Sequence, residues 1–337
     1  MANSPRAYIF QSRQADMNDE RLKEFVEASF LKPLLFKKGV TDISYNGEEL
    51  FYETNLEGRK KARLEVDRKT VGDFLRQIAN YGEKQFSFSE PVLDLSFSRY
   101  RLNAAFTNIV RVKDGRSYSF SLRILGEQSV IKDNSPFFEG EARKILVNAI
   151  NNGESIVIGG ITSSGKTELQ KYLLLHLKEA TRVIVVDNLQ ELERIRGASG
   201  IDLTSWQVDE RYNASTYSSL IRNALRNCPD LIVVAEARGA EMNEAITSVS
   251  SGHPILMTIH SKDLVSMPER MVRLALLGGQ RILREELLEE VYHHFTIFVY
   301  LAKKIKEDGT IFRYVQSIGR LNEKEMKMDI IYERKDV

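Results

Sequence analysis

Apolar and polar positions follow two textures along the chain. Residues 17–38, MNDERLKEFVEASFLKPLLFKK, space their apolar residues as a helix does, which predicts one or two amphipathic helices broken near Pro33. From Val40, VTDISYNGEELFYETNLEGRKKARLEV alternates short β-rich runs with Asn-Gly and Glu-Gly turns. DRKTVGDFLRQIANYGEKQF returns to helical spacing, and DLSFSRYRLNAAFTNIVRVKDGRSYSFSLRIL returns to a period of two. Residues 1–125 therefore read as an α+β domain with a mostly antiparallel sheet. GEQSVIKDNSP, residues 126–136, is polar and turn-rich and reads as a linker. Beyond it the apolar runs SIVIGG, RVIVVD, DLIVVAE and PILMTIH alternate with helical segments. That is the βα pattern of a mainly parallel sheet covered on both faces, expected over residues 137–337. FTIFVYLAKKIKEDGTIFRYVQSIG reads as a terminal hairpin turning at Asp308-Gly309.

Composition narrows the picture. With 337 residues, 42% of them hydrophobic and 28% charged, the chain can bury a sizeable core and its length favours two domains. A lone cysteine, Cys228, allows no internal disulfide and suits a reducing compartment; placed just before a core strand, it reads as a small buried hydrophobe. MANSPRAYIFQSRQADMNDE carries no apolar core of a signal peptide, and no apolar run approaches the roughly 18 residues that span a bilayer. A cytoplasmic protein is expected, touching a membrane only peripherally through partners. Residues 1–130 hold 21 Lys and Arg against 18 Asp and Glu, and the rest hold 27 against 29. Neither part is a polyelectrolyte, so strong nucleic-acid binding is not expected.

The most specific chemistry lies in Gly160-Ile161-Thr162-Ser163-Ser164-Gly165-Lys166-Thr167, which fits G-x-x-x-x-G-K-[ST] between a strand and a helix. Leu169, Leu173 and Leu177 recur every fourth residue, as a helix packed on a sheet requires. The glycines let backbone amides turn inward around a phosphate, and the helix N-terminus adds its positive end. Lys166 would reach the β- and γ-phosphates of ATP, and the Thr167 hydroxyl would hold Mg²⁺. Two later strands end in acids: RVIVVD at Asp187, with Glu191 four residues on, and DLIVVAE at Glu236. Carboxylates at the C-terminal ends of parallel strands face the ligand crevice. One would hold a Mg²⁺-bound water and the other orient and deprotonate the attacking water. His253 and His260 mark the two ends of one short strand, and His260 is placed as a γ-phosphate sensor. Five histidines without a cysteine cluster give no metal-site spacing.

Four motifs now stand in a fixed order: GITSSGKT, VIVVDNLQEL, LIVVAEARGAE and SGHPILMTIH. This order resembles the secretion-superfamily traffic ATPases, the ring motors of type IV secretion and conjugation, type II secretion and type IV pili. The likeness extends to GVTDISYNGEELFYE, RYRLNAAF and SFSLRIL, over roughly residues 35–320. The fold it implies is α/β: an N-terminal α+β sheet domain followed by a RecA-like P-loop ATPase domain with a mainly parallel sheet. The resemblance further implies ATP and Mg²⁺ as ligands, with Gly160, Thr162, Ser163, Ser164, Gly165, Lys166, Thr167 and Glu168 around the nucleotide and Thr167 and Glu236 near the metal. It makes Glu191 the residue that activates water and His260 the sensor. Arg101, Arg116 and Arg123 become arginine fingers from the N-terminal domain, and Arg238 a link between subunits. A hexamer working on inner-membrane secretion or conjugation components is implied. The chain departs from the family's usual pattern at Ser164, where glycine is expected, at Glu168, where Thr or Ser is expected, and at Asp187-Asn188, where the box opens Glu-Asp. Glu191 is retained, so catalysis is expected to survive.

The short chain has no added N-terminal region and no Cys₄ module, which favours the type IV secretion and conjugation branch over pilus or Tad-like assembly. A DNA translocase would need a basic, aromatic channel. A non-hydrolysing scaffold gains footing from Asp187-Asn188 and loses it to the Glu191 and Glu236 pair. A small-molecule kinase would carry its arginines in a lid after the loop.

Overall fold

The first helix, α1 (residues 18–28), and the single turn α2 (Lys32–Leu35) show where the predicted break falls. Pro33 sits in the first turn of α2, where its missing N–H has no helical partner to lose, so the chain bends at residues 29–31 just before it. The computed structural model describes residues 18–126, 129–198, 200–210, 212–279, 282–307 and 310–335. Met17, the turn at Asp308-Gly309 and residues 127–128 of the expected linker lie outside the described residues.

The chain divides into two compact units. The first holds the described residues up to Gly126 together with Ile305–Ile311; the second holds the rest. In the first, β1 (Val40–Tyr45), β2 (Leu50–Thr54) and β3 (Lys60–Lys61) precede α3 (Arg68–Tyr81). Asp67 caps α3 by accepting the Thr70 amide at 2.9 Å. There follow β4 (Val92–Phe97), β5 (Tyr100–Ala105), the short pair β6 (Arg111–Val112) and β7 (Gly115–Arg116), and β8 (Ser119–Ile124). Six strands order as β3-β2-β1-β8-β5-β4, and each of their neighbouring pairs runs antiparallel. The apolar stripe of α3, Val71, Phe74, Leu75 and Ile78, closes one core with Ile43, Leu102 and Leu122 of the sheet.

The second unit opens with α4 (Ala142–Asn151), β9 (Ile156–Gly160), α5 (Lys166–Leu174), β10 (Arg182–Asp187), β11 (Asp202–Gln207), α6 (Tyr217–Ala224) and β12 (Leu231–Ala237). It continues with α7 (Glu241–Ser250), β13 (Ile255–His260), α8 (Met267–Leu276), α9 (Arg284–His294), β14 (Ile297–Ile305), β15 (Ile311–Asn322) and β16 (Lys327–Glu333). The strand order is β11-β10-β12-β13-β9-β14-β15-β16. The six strands from β11 to β14 are parallel, and β16 adds an antiparallel edge to β15. Successive residues of the central strands belong to opposite cores. Val157, Val186 and Met257 meet α6 to α9, while Ile158, Val185 and Leu256 meet α4 and α5. Burial on both faces explains why these strands read as continuous Val and Ile runs.

Two expectations change here. The stretch 126–136 is not a free tether along its described length. Ser129 Oγ donates to the Glu168 carbonyl at 3.2 Å, the Val130 amide donates to Glu168 Oε2 at 2.8 Å, and Ile131 is buried in the α4–α5 core. Asp133 accepts the Tyr172 hydroxyl at 2.6 Å and pairs with Arg143. From Ser129 onward this segment belongs structurally to the second unit. Cys228 is exposed rather than buried, because it occupies a left-handed turn at φ 48° just ahead of Pro229.

Phe298 is fully buried in β14, the strand beside β9. Phe298→Ala should destabilise the second unit by about 3–5 kcal/mol, read by urea unfolding; a loss under about 1 kcal/mol would contradict its place in the core.

Candidate active site

The end of β9 fixes the loop that follows. Gly160 lies between His260 of β13 and Leu301 of β14 in register. A Cβ on Gly160 would stand 2.4 Å from Ser164 Oγ and 2.8 Å from the Leu301 carbonyl, so only glycine allows the chain to turn there. Gly165 takes φ 100° as the residue before α5, again a glycine conformation. The other left-handed residue is Ser163, at φ 60°, whereas Ser164 is not among the positive-φ residues. The position at which glycine would relieve the backbone is thus Ser163, one residue before the expected departure. Arg313 of β15 holds it by donating from Nε to the Ser163 carbonyl at 2.7 Å.

Lys166 begins α5 with only 9% of its surface exposed. Its Nζ donates to the carbonyls of Gly160 and Ile161, each at 3.1 Å, and stands 3.5 Å from His260 Nδ1. Burial pushes its ammonium below the usual lysine range, against the opposite pull of Glu236. Ser164 Oγ is buried with no hydrogen-bond partner, and Thr162 and Ser163 are exposed at the loop's crest. Thr167 is half-buried in the first turn of α5.

Glu236 reaches this cluster because β12 is irregular there. The pairing of β12 with β13 shifts between Val234 and Ala237, so Ala235 and Glu236 oppose the single residue Thr258. Thr258 Oγ1 spans the bulge to the Ala235 carbonyl at 2.7 Å. Glu236 Oε1 meets His260 Nε2 at 2.7 Å, and Arg238 donates to Glu236 Oε2. Burial pushes the Glu236 carboxyl up, but Arg238 first, then His260 and Lys166, hold it below the ordinary value. Burial and then the Lys166 charge push the His260 imidazole below 6.5. The result is an unbroken row, Lys166–His260–Glu236–Arg238, along the C-terminal edge of the sheet. Beside it a cavity of about 580 Å³ is lined by Ile161, Thr162, His260, Lys262, Arg270 and Arg273 among others. His253 lies at the far end of β13 and takes no part.

Asp187 behaves differently from Glu236. Its carboxylate is 1% exposed and accepts the amides of Leu189 and Glu191 at 2.8 Å and of Leu192 at 3.4 Å. Burial raises its carboxyl pKa, and those three amides and Lys171 oppose the rise. Asp187 therefore folds the loop that carries Glu191, which stays half-buried. The Glu168 carboxylate is turned to Lys171 and the Val130 amide rather than into the loop. Arg101 and Arg123 are register partners in the first unit's sheet, tied to Asp94 and Asp42, and Arg116 is exposed in β7. The structure thus brings Gly160, Lys166, Glu236 and His260 together within the second unit; the three arginines stand in the first. Lys171 and Arg313 were not singled out from sequence. A lysine inside a helix reads as solvated, and Arg313 is 150 residues from the carbonyl it holds.

The folded values set a direction with pH. A histidine depressed below 6.5 takes up its proton later than in the unfolded chain, so the fold loses stability as pH falls through that value. Glu236, also depressed, stabilises the fold above 4.5, and that contribution is lost as pH falls through its lower folded value. By NMR, His260 should titrate below 6.5, and Glu236→Gln should push it lower by removing the charge that raises it. A midpoint at or above 6.5 in the native protein would contradict the row.

A family model described as Type II/IV secretion system protein matches residues 116–289. An uncharacterized protein of Bacillus anthracis is 28% identical over 305 residues, covering 88% of this chain but 66% of the relative. A putative conjugal transfer protein of Mycobacterium tuberculosis is 24% identical over 271 residues, 76% of this chain and 75% of that one. The Legionella pneumophila ATPase DotB shares the fold at a TM-score of 0.66 and 20% identity, over 94% of this chain and 82% of that chain. Because the family model spans more than half of its residues, the chain belongs to the Type II/IV secretion system protein family.

Proposed function

We propose that this protein hydrolyses Mg-ATP and works as a ring-forming motor subunit of a type IV secretion or conjugation apparatus. The observation that carries the reading is Lys166. Its nearly buried ammonium is held on two loop carbonyls, 3.5 Å from His260, at the mouth of a glycine-turned loop. The donor set fits a polyphosphate. An unpartnered Ser164 hydroxyl, the N-terminal turn of α5 and a lysine held by two carbonyls beside His260 offer exchangeable donors to an anion. The conjugal-transfer relative favours this branch, and the 66% coverage of the first relative makes the whole apparatus part of the proposal.

In this reading Gly160, Thr162, Ser163, Ser164 and Gly165 shape the phosphate cradle, and Lys166 moves from its carbonyls to the β- and γ-phosphates. Thr167 and Glu236 would hold Mg²⁺, directly or through water. The metal supplies neutralisation of charge on the transferring phosphoryl group. Glu191 orients and deprotonates the attacking water. His260 reads the γ-phosphate at one nitrogen while Glu236 holds the other. Glu168 serves the site through its backbone in the first turn of α5. Arg101, Arg116 and Arg123 are assigned as fingers that steady the developing charge, worth several powers of ten in rate. The domain division at 125, 126–136 and 137–337 enters as the frame of the motor stroke. Within it, the described residues from Ser129 onward are bonded into the second unit. The ring is taken to be a hexamer on the cytoplasmic side, docked by inner-membrane components. No helix among the described residues is long and apolar enough to cross a membrane, so that docking is assigned to partners.

Phosphate release from Mg-ATP, measured over a protein concentration series, tests this. The rate per subunit should rise with concentration. Glu191→Gln should lower kcat by about 100-fold or more while ATP still binds. Lys166→Ala should abolish turnover. A native protein that binds ATP yet is no faster than Glu191→Gln at any concentration would sink the motor reading.

A further inference from the structure

Strand β12 changes phase just before Glu236. Ile232 and Val234 face the core shared with α6 to α9, while Leu231, Val233 and Ala235 face the core shared with α4 and α5. Strict alternation would turn Glu236 into the apolar α6–α9 core, where an unpartnered carboxylate is costly. Ala237 occupies that core instead, because the pairing with β13 shifts by one residue between Val234 and Ala237. The shift interrupts the ladder: the register with β10 ends at Val186 and Val234, and the register with β13 breaks after Val234. Two side chains take carbonyls at the break. Thr258 Oγ1 donates to the Ala235 carbonyl at 2.7 Å, and Gln170 Nε2 donates to the Val234 carbonyl at 3.0 Å. Gln170 is fully buried in α5, one turn after Lys166 on the same helix face. Its Oε1 is buried too and has no hydrogen-bond partner. Leucine or methionine would fill this place without leaving a buried acceptor unpaired, so packing alone does not account for a glutamine there.

We propose that Gln170 is a positioning residue for Glu236. Its amide fixes the first peptide of the bulge and the Thr258 hydroxyl fixes the second. Together they hold the phase change that brings the Glu236 side chain out of the core and onto the sheet edge, where His260 and Arg238 meet it. A bulge held on one side only can relax, and the carboxylate it aims would then leave its place 2.7 Å from His260 Nε2. The bond also joins two elements of the site. Gln170 belongs to the helix that carries Lys166 and Thr167, and the carbonyl it holds lies two residues before Glu236. In the proposed reaction Thr167 and Glu236 serve one metal from those two elements, so the bond of Gln170 bears on how they stand together. It reaches β12 rather than the phosphate loop, so ATP binding should be spared.

The inference rests on reading Glu236 as the acid on the metal side of the site, and two readouts on the full chain keep the two apart. The first needs neither nucleotide nor metal. The ring signals of His260, assigned by their loss in His260→Gln, are recorded by NMR at about pH 8, above the ordinary histidine value. Gln170→Met should shift them, while those of His253 at the far end of β13 stay in place. The second is steady-state ATP hydrolysis. Gln170→Met should lower kcat by about 10-fold or more and leave KM for ATP within about twofold, as loss of an outer positioning contact does. Thr258→Val, which frees the Ala235 carbonyl on the other side of the bulge, carries both readouts if Gln170→Met does not fold, and changes in the same direction are expected. A folded Gln170→Met protein with native His260 signals, or one whose loss is confined to KM, overturns the proposal. If Glu236→Gln hydrolyses ATP at the native rate, the reading of Glu236 fails instead, and the His260 signals alone decide whether Gln170 positions it.

Discussion

A lysine ammonium held nearly out of water needs acceptors on more than one side, and the C-terminal edge of the parallel sheet is built around that requirement. Lys166 finds two carbonyls in its own loop, and it finds them because Gly160 turns the chain where no Cβ would fit. The loop can turn there only because β9 is held between β13 and β14, with His260 and Leu301 in register against Gly160. The buried Val and Ile runs of the sheet thus do more than supply a core. They set the height of the strand end to which the lysine answers.

The same edge shows how charge is balanced without a close-packed ion pair on Lys166. Glu236 is aimed by a bulge in β12, and its two oxygens are taken by His260 on one side and Arg238 on the other. His260 lies between a cation and an anion, and burial tips it toward the neutral form. A neutral imidazole fits the row with its proton on Nε2, so that Nδ1 faces the Lys166 ammonium as an acceptor and Nε2–H faces the Glu236 carboxylate. Adding a phosphate anion near Lys166 would relieve the positive charge that depresses His260. The row is therefore electrically responsive at the point where a γ-phosphate would arrive.

Much of this was legible in the chain. The strand–loop–helix run from Ile156 to Leu174 declares itself through a continuous apolar stretch, two glycines and a lysine, all local in sequence. The later Val- and Ile-rich strands and the acids that end two of them, Asp187 and Glu236, were readable for the same reason. What was not legible depends on distant contacts. Edge strand β11, DLTSWQ, mixes polar and apolar residues because only part of it is covered. Lys171 looks like a solvated helix residue until the fold buries it beside Glu168. The bond from Arg313 to Ser163 has no sequence signal at all. Asp187 was legible as an acid at a strand end but not as the centre of a folded loop, since nothing in its spacing says which way the carboxylate turns.

The departures from the family's usual residues make better sense as a set than singly. Next to the departure at Ser164, Ser163 adopts a backbone shape that favours glycine, and Arg313 pins its carbonyl. Glu168 places a carboxylate where a small hydroxyl is usual, and that carboxylate takes Lys171 and the amide of Val130. Asp187 is shorter than the usual glutamate, and its reach is enough for the three amides of its own loop but directs it away from the crevice. At Ser163 and Glu168 the local cost is met by a contact from another element of the second unit, and at Asp187 by its own loop. The conformation of the loop is thereby tied to β15 and that of the first turn of α5 to the segment from Ser129, and a change at either place should be felt at the site.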